Sequence, residues 1–156
     1  MTDLPDPDIV DAAPRLLVGV VDDYTLDRRG EIPNLYHRFF DIAEKFDAVT
    51  DHVLYGVSMN AQPDGSFRYG VGWEVAREID LPEGASFMSL VGGTYAVFTL
   101  HIAPVDLPSH FDAIFARWLP EAHVAQREGA VFERYLSEPD AQTGTMTVEI
   151  WVPVAD

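Results

Sequence analysis

The chain has 156 residues, 47% of them hydrophobic and 12% aromatic, enough for one compact domain with its own core and too few for two ordinary ones. Twenty-six acidic residues oppose ten basic ones, a formal charge of −16 at pH 7, and such a field repels phosphate and speaks against direct nucleic-acid binding. Cysteine is absent, which excludes disulfides, a thiolate nucleophile and cysteine-ligated metal.

The first fourteen residues carry Pro5, Pro7 and Pro14 with Asp3, Asp6, Asp8 and Asp11. So little apolar surface cannot offset chain entropy, so residues 1–14 read as a flexible acidic leader and 15–156 as a single domain. Leu16 to Val21 is a β-branched run that predicts a buried strand. A turn-rich stretch from Asp22 to Gly30 follows. Ile32-Pro33 then opens a helix of about four turns, with Leu35, Tyr36, Phe39, Phe40, Ile42, Ala43 and Phe46 at helical spacing. His52 to Met59 and Phe67 to Val75 flank an Asp64-Gly65 turn and read as a β-hairpin.

From Ser86 the order recurs. Thr94 to His101 is a strand, and Leu107-Pro108 opens a helix with Phe111, Ile114, Phe115, Trp118 and Leu119 on one face. Val131 to Tyr135 and Met146 to Val154 make the second hairpin. The halves, about 15–80 and 86–154, are thus duplicated strand-helix-strand-strand units, with Pro33 matching Pro108 and Glu74 matching Glu149. The expected fold class is α+β: an antiparallel sheet with pseudo-two-fold symmetry, two main helices and a central cleft. No apolar run reaches the roughly 18–20 residues of a membrane helix, and the N-terminus lacks the marks of a signal peptide. The expected setting is cytoplasmic, without a membrane partner.

Several short motifs in order, Ile32-Pro33, Tyr55-Gly-Val, Asp64-Gly-Ser-Phe, Leu81-Pro-Glu-Gly, Gly93-Thr-Tyr-Ala-Val-Phe98, Phe132-Glu-Arg-Tyr135 and Glu149-Ile-Trp-Val-Pro153, resemble the GyrI-like small-molecule-binding domain, also called the AraC-type effector-binding domain. The resemblance covers about residues 15–155. It implies a ligand-binding fold whose known members include drug-sensing regulator domains, standalone binders, gyrase inhibitors and hydrolases of cyclopropane-bearing genotoxins. The regulators carry a helix-turn-helix domain ahead of this unit, and the short acidic start leaves no room for one, so a standalone protein is expected.

In the last strand Val148, Ile150 and Val152 share one face, suited to packing under a helix, while Thr147, Glu149 and Trp151 share the other. A carboxylate beside an indole favours cationic aromatic ligands, and the resemblance implies an acid at this position in the floor of an aromatic pocket. Glu74 lies in the matching strand with Gly70 and Gly72 on its face, where glycines leave room for close approach. Tyr95 is the candidate pocket hydroxyl, and Trp73 is expected to pack on a helix. The candidate ligand-binding residues are therefore Glu149, Trp151, Tyr95, Glu74, Gly72, Thr147 and Tyr55.

Five histidines show no metal-ligand spacing, neither Gly70-x-Gly72 nor Gly92-Gly93 leads into a phosphate-binding helix, and no serine elbow is present, so no metal, cofactor or catalytic residue is assigned. The leading expectation is noncatalytic binding of amphipathic, cationic aromatic small molecules. One alternative is hydrolysis of an electrophilic ligand, with Glu149 or Glu74 orienting water and Tyr95 or Tyr135 donating a proton. The other is an acidic inhibitor that mimics nucleic acid on a protein partner, a topoisomerase such as DNA gyrase.

Overall fold

A computed structural model describes residues 3–155. Eight strands form one antiparallel sheet: β1 (Asp8–Ala12), β2 (Arg15–Tyr24), β3 (Val49–Met59), β4 (Phe67–Val75), β5 (Ser86–Leu90), β6 (Gly93–Ile102), β7 (Val131–Tyr135) and β8 (Met146–Pro153). Their order across the sheet is β1-β6-β8-β7-β3-β4-β2-β5. Helix α1 (Ile32–Ile42) follows β2, and helix α2 (Leu107–Ala113) follows β6. Both open with proline in the first turn, where no backbone N–H is needed.

The duplication is built into the ladders. β1 and β5 start 78 residues apart (8 to 86), as do β2 and β6 (15 to 93). Exchanging the two halves reproduces the strand order, so a pseudo-two-fold axis runs between β3 and β7. The register fixes where. Val20 pairs with Val71, which pairs with Gly56; 78 residues on, Phe98 pairs with Ile150, which pairs with Glu133. Gly56 and Glu133 are equivalent and are also each other's partners across β3 and β7, so the axis passes between them.

This register corrects the match of Glu74 with Glu149. Leu17 pairs with Glu74 while Tyr95 pairs with Pro153, and Val21 pairs with Gly70 while Thr99 pairs with Glu149. Glu74 is therefore equivalent to Pro153, and Glu149 to Gly70. The helix openings Ile32 and Leu107 lie 75 residues apart (32 to 107), unlike the 78 between β1 and β5 and between β2 and β6, because the loops on either side differ in length.

The acidic leader also differs from expectation, since Asp8–Ala12 pairs with β6. An edge strand is held by its backbone and needs only alternate side chains inward; Val10 and Ala12 turn in while Ile9 and Asp11 face out, and Asp8, at the strand's start, is exposed. Its equivalent β5 pairs with β2 at the other edge. The first helix has about three turns and ends in a 3-10 turn, Ala43–Lys45. The second passes through a π turn, Ile114–Trp118, into a final turn, Leu119–Glu121. Ile114 is buried there, Trp118 meets Phe98 edge-on, and the Phe111 and Phe115 rings stack.

Three clusters form the interior. Leu35, Phe39 and Phe46 pack with Val18, Val20 and Val71 under α1, where Trp73 meets Phe39 edge-on. Phe98, Val148, Ile150 and Val152 pack with Ile114, Phe111 and Trp118 under α2. The third cluster, on the other face, joins Leu17, Tyr55, Tyr95, Phe132 and Trp151 to Met88 and Leu90 of β5 and Val10 of β1. Both edges reach one cluster only if the sheet curls, so the helices lie outside the curl and the central pair β3 and β7 is left open between them.

Candidate functional site

Alternation along β7 sends Phe132 and Arg134 inside the curl and Glu133 and Tyr135 toward the helices. There the gap between α1 and α2 forms a cavity of about 460 Å³, within the usual size of small-molecule sites. Its walls are mainly apolar, including Ile32 and Pro33 of α1, Leu107, Pro108 and Phe111 of α2, and Phe67 of β4. Its floor is polar and centred on Glu133, which is 3% exposed.

Three tyrosines surround that carboxylate. Tyr69 donates to Glu133 Oε1 at 2.9 Å and Tyr135 donates to the same oxygen at 3.2 Å. Tyr36, reaching down from α1, donates to Tyr135 Oη at 3.2 Å and lies 2.8 Å from Tyr69 Oη. Glu133 Oε2 has no partner among the described residues. Burial pushes the Glu133 carboxyl up to about 7, against the pull of the tyrosine hydrogen bonds. Burial first, then the Glu133 charge, raises Tyr36, Tyr69 and Tyr135, so all three remain hydroxyl donors at neutral pH.

Gly56 makes this cluster possible. A Cβ there would stand 2.1 Å from Tyr69 Oη, 2.9 Å from Tyr36 Oη and 3.1 Å from Glu133 Oε1. One half thus supplies the acid on the axis and the other supplies the space for it.

None of the seven residues named from sequence lines this cavity. Tyr55, Trp151 and Tyr95 are buried in the cluster inside the curl. Glu149 accepts from Arg134 Nη1 at 2.7 Å and from Trp151 Nε1 at 3.1 Å. Arg134 in turn lies over the Tyr55 and Trp151 rings. Glu74 accepts from Tyr55 Oη at 3.3 Å, and Arg15 donates to that hydroxyl while covering Trp151. Tyr95 donates to the Val91 carbonyl, and Thr147 bonds His101 Nδ1. The surface beside Gly72 is filled: a Cβ there would meet Val18 O at 2.6 Å and Met88 Cε at 2.9 Å. These residues are brought together, but as a packed and charge-paired cluster across the sheet from the cavity.

Glu133, Tyr69, Tyr36 and Gly56 are not among the site residues expected from the sequence, and Tyr135 enters there only as a proton donor in the hydrolytic alternative. A signal existed: in Val131-Phe-Glu-Arg-Tyr135 the acid shares its face with Tyr135, while the next arginine faces away to meet Glu149. Among the described residues no group of three His, Asp or Glu side chains is placed to hold a metal, and no helix is long and apolar enough to cross a membrane.

An apolar cavity bounded by two proline-opened helices, over a floor shared by two repeats, is the plan of a ligand-binding module, and the comparisons agree. Residues 5–155 match the GyrI-like small molecule binding domain. The chain belongs to that family. This GyrI-like domain is 30% identical over 133 residues to the transcriptional regulator BrlR of Pseudomonas aeruginosa, covering 79% of this chain and 46% of that one. It is 32% identical over 84 residues to a DNA gyrase inhibitor of Erwinia billingiae, covering 52% and 54%. The chain spans about half the length of these curated relatives. The solved structure of SAV2435 bound to tetraphenylphosphonium shares the fold, with a TM-score of 0.77 at 18% identity over 97% of this chain and 94% of that one.

Proposed function

We propose that this GyrI-like domain binds an amphipathic cation with aromatic surface in the cavity between α1 and α2, with Glu133 as its counter-charge. The observation that carries this reading is a buried carboxylate with one unpartnered oxygen at the floor of an aromatic, apolar cavity. An ionised carboxylate so placed is costly, and a cation entering with its own apolar surface relieves that cost while burying that surface. The aromatic walls add attraction of the cation-π kind. The fold it shares with a tetraphenylphosphonium-bound protein supports the same ligand class.

The test uses tetraphenylphosphonium and neutral triphenylphosphine oxide, titrated calorimetrically into wild type and Glu133→Gln at pH 8. The cation is expected to lose about 1–3 kcal/mol, roughly 5- to 150-fold, with little change for the neutral compound. Equal losses for both would reduce Glu133 to a shape-determining role. A carboxyl near 7 beside tyrosine donors is also suited to activating water, so release of the carboxylic acid and alcohol from an added electrophilic ester, lost in Glu133→Gln, would identify turnover in place of storage.

A further inference from the structure

The cavity over Glu133 does not end at its own walls. A second space of about 620 Å³ shares Arg29, Ser58, Phe67 and Phe111 with it, so the two are lobes of one groove. The lobes differ in chemistry. The first holds the acids Glu133 and Asp112, whereas the second, below the β3–β4 hairpin, is lined by neutral polar groups such as Asn60, Gln62, Ser66 and Gln126 and by no acid.

Arg29 is the cation at the seam, and it is uncommitted. Its Nε donates to the Leu26 carbonyl at 3.1 Å, and among the described residues it forms no ion pair. Nearby arginines do: Arg28 with Glu31, Arg38 with Asp22, and Arg68 with Asp23. In a chain with 26 acidic residues, an arginine that forms no ion pair and borders a lobe without an acid has its planar fork available for a carboxylate brought by a ligand.

Resting on the reading of Glu133 as counter-charge, we infer that the ligand class is zwitterionic: an aromatic cation for the Glu133 lobe joined to a carboxylate that reaches Arg29 where the lobes meet. Negative charge deep in the groove and positive charge at its seam select for the order of charges along the ligand, as well as for their sum.

Rhodamine 110 and rhodamine 123 share one xanthylium cation and differ in a free carboxylate against its methyl ester. Both are titrated by fluorescence anisotropy into wild type, Arg29→Gln, Arg29→Lys and Glu133→Gln at fixed salt. Arg29→Gln is expected to weaken the carboxylate dye at least 5-fold and leave the ester unchanged, with partial rescue by Arg29→Lys. Glu133→Gln is expected to weaken both. Equal effects of Arg29→Gln on the two dyes, or none, overturn the zwitterion inference and leave the cation reading standing. No effect of Glu133→Gln on either dye, or no binding of either by wild type, counts against both. Arg29 is exposed, so its variants fold as the wild type does.

Discussion

Replacing Glu133 with glutamine should make the protein more stable, and by an amount that depends on pH. In the unfolded chain the carboxyl ionises near 4.5, and in the folded protein burial raises this to about 7. A raised carboxyl contributes most at low pH: below 4.5 both states are protonated and folding costs nothing at this site. As pH climbs through the interval the unfolded state ionises first, and stability falls until the folded group ionises as well. The full loss above about pH 7 is about 3 kcal/mol, from 1.36 kcal/mol for each pH unit between the two values. The sequence pI of about 4.4 makes the acid limit poorly soluble, so the practical comparison lies between about pH 5.5 and pH 8.5, where about 2 kcal/mol of the difference develops. Glutamine keeps the shape and can still accept from Tyr69 and Tyr135. Urea unfolding followed by tryptophan fluorescence on both proteins should show the stability advantage of Glu133→Gln growing with pH; the other titrating groups cancel in the difference. Parallel stability curves would refute the assignment of a desolvated, titrating carboxyl to this position. A bound cation should cancel the effect by stabilising the wild type selectively at high pH.

Gly56→Ala should force Tyr69 and Tyr36 away from the carboxylate, lower stability by about 1–3 kcal/mol, and abolish cation binding; an unchanged phosphonium titration would show that the cluster is not the site. Glu149→Gln should cost about 2 kcal/mol with ligand binding intact, because Arg134 and Glu149, whose side chains are 19% and 17% exposed, would lose a nearly buried partner. Denaturation and titration of that one variant separate the two faces of the sheet. Deleting residues 1–13 removes β1 and uncovers the edge of β6, and a fall of about 2 kcal/mol, or about 4–8 °C in Tm, is expected by calorimetry.

Much of the fold was legible because it is carried by periodicity. The run Leu16 to Val21, the helix faces starting at Ile32 and Leu107, and the Asp64-Gly65 hairpin each announce themselves within a dozen residues. The edge strands were not, because β1 and β5 contribute backbone pairing and two inward side chains each, a pattern too short to outweigh prolines and aspartates. The cavity was hidden for a different reason. Strand alternation correctly separates Glu149 from Ile150, but alternation does not tell which face is open. Glu149 lies inside the curl, where Arg134 arrives from the neighbouring strand, and that pairing depends on a register 15 residues apart in sequence. Glu133 sits between an arginine and a phenylalanine in sequence, and only the position of β7 beside Gly56 gives it a floor of its own.

The Gly56–Glu133 pair also says something about why the two repeats share one chain. A symmetric dimer of identical units must place the same residue twice at its axis, so it could offer a ligand two acids at touching distance or two glycines. Two acids would repel and leave one of them protonated; two glycines would leave no charge. Covalent linkage removes that restriction, because each copy can vary alone. A single negative charge can then stand on the line of symmetry, beneath the gap between the two helices.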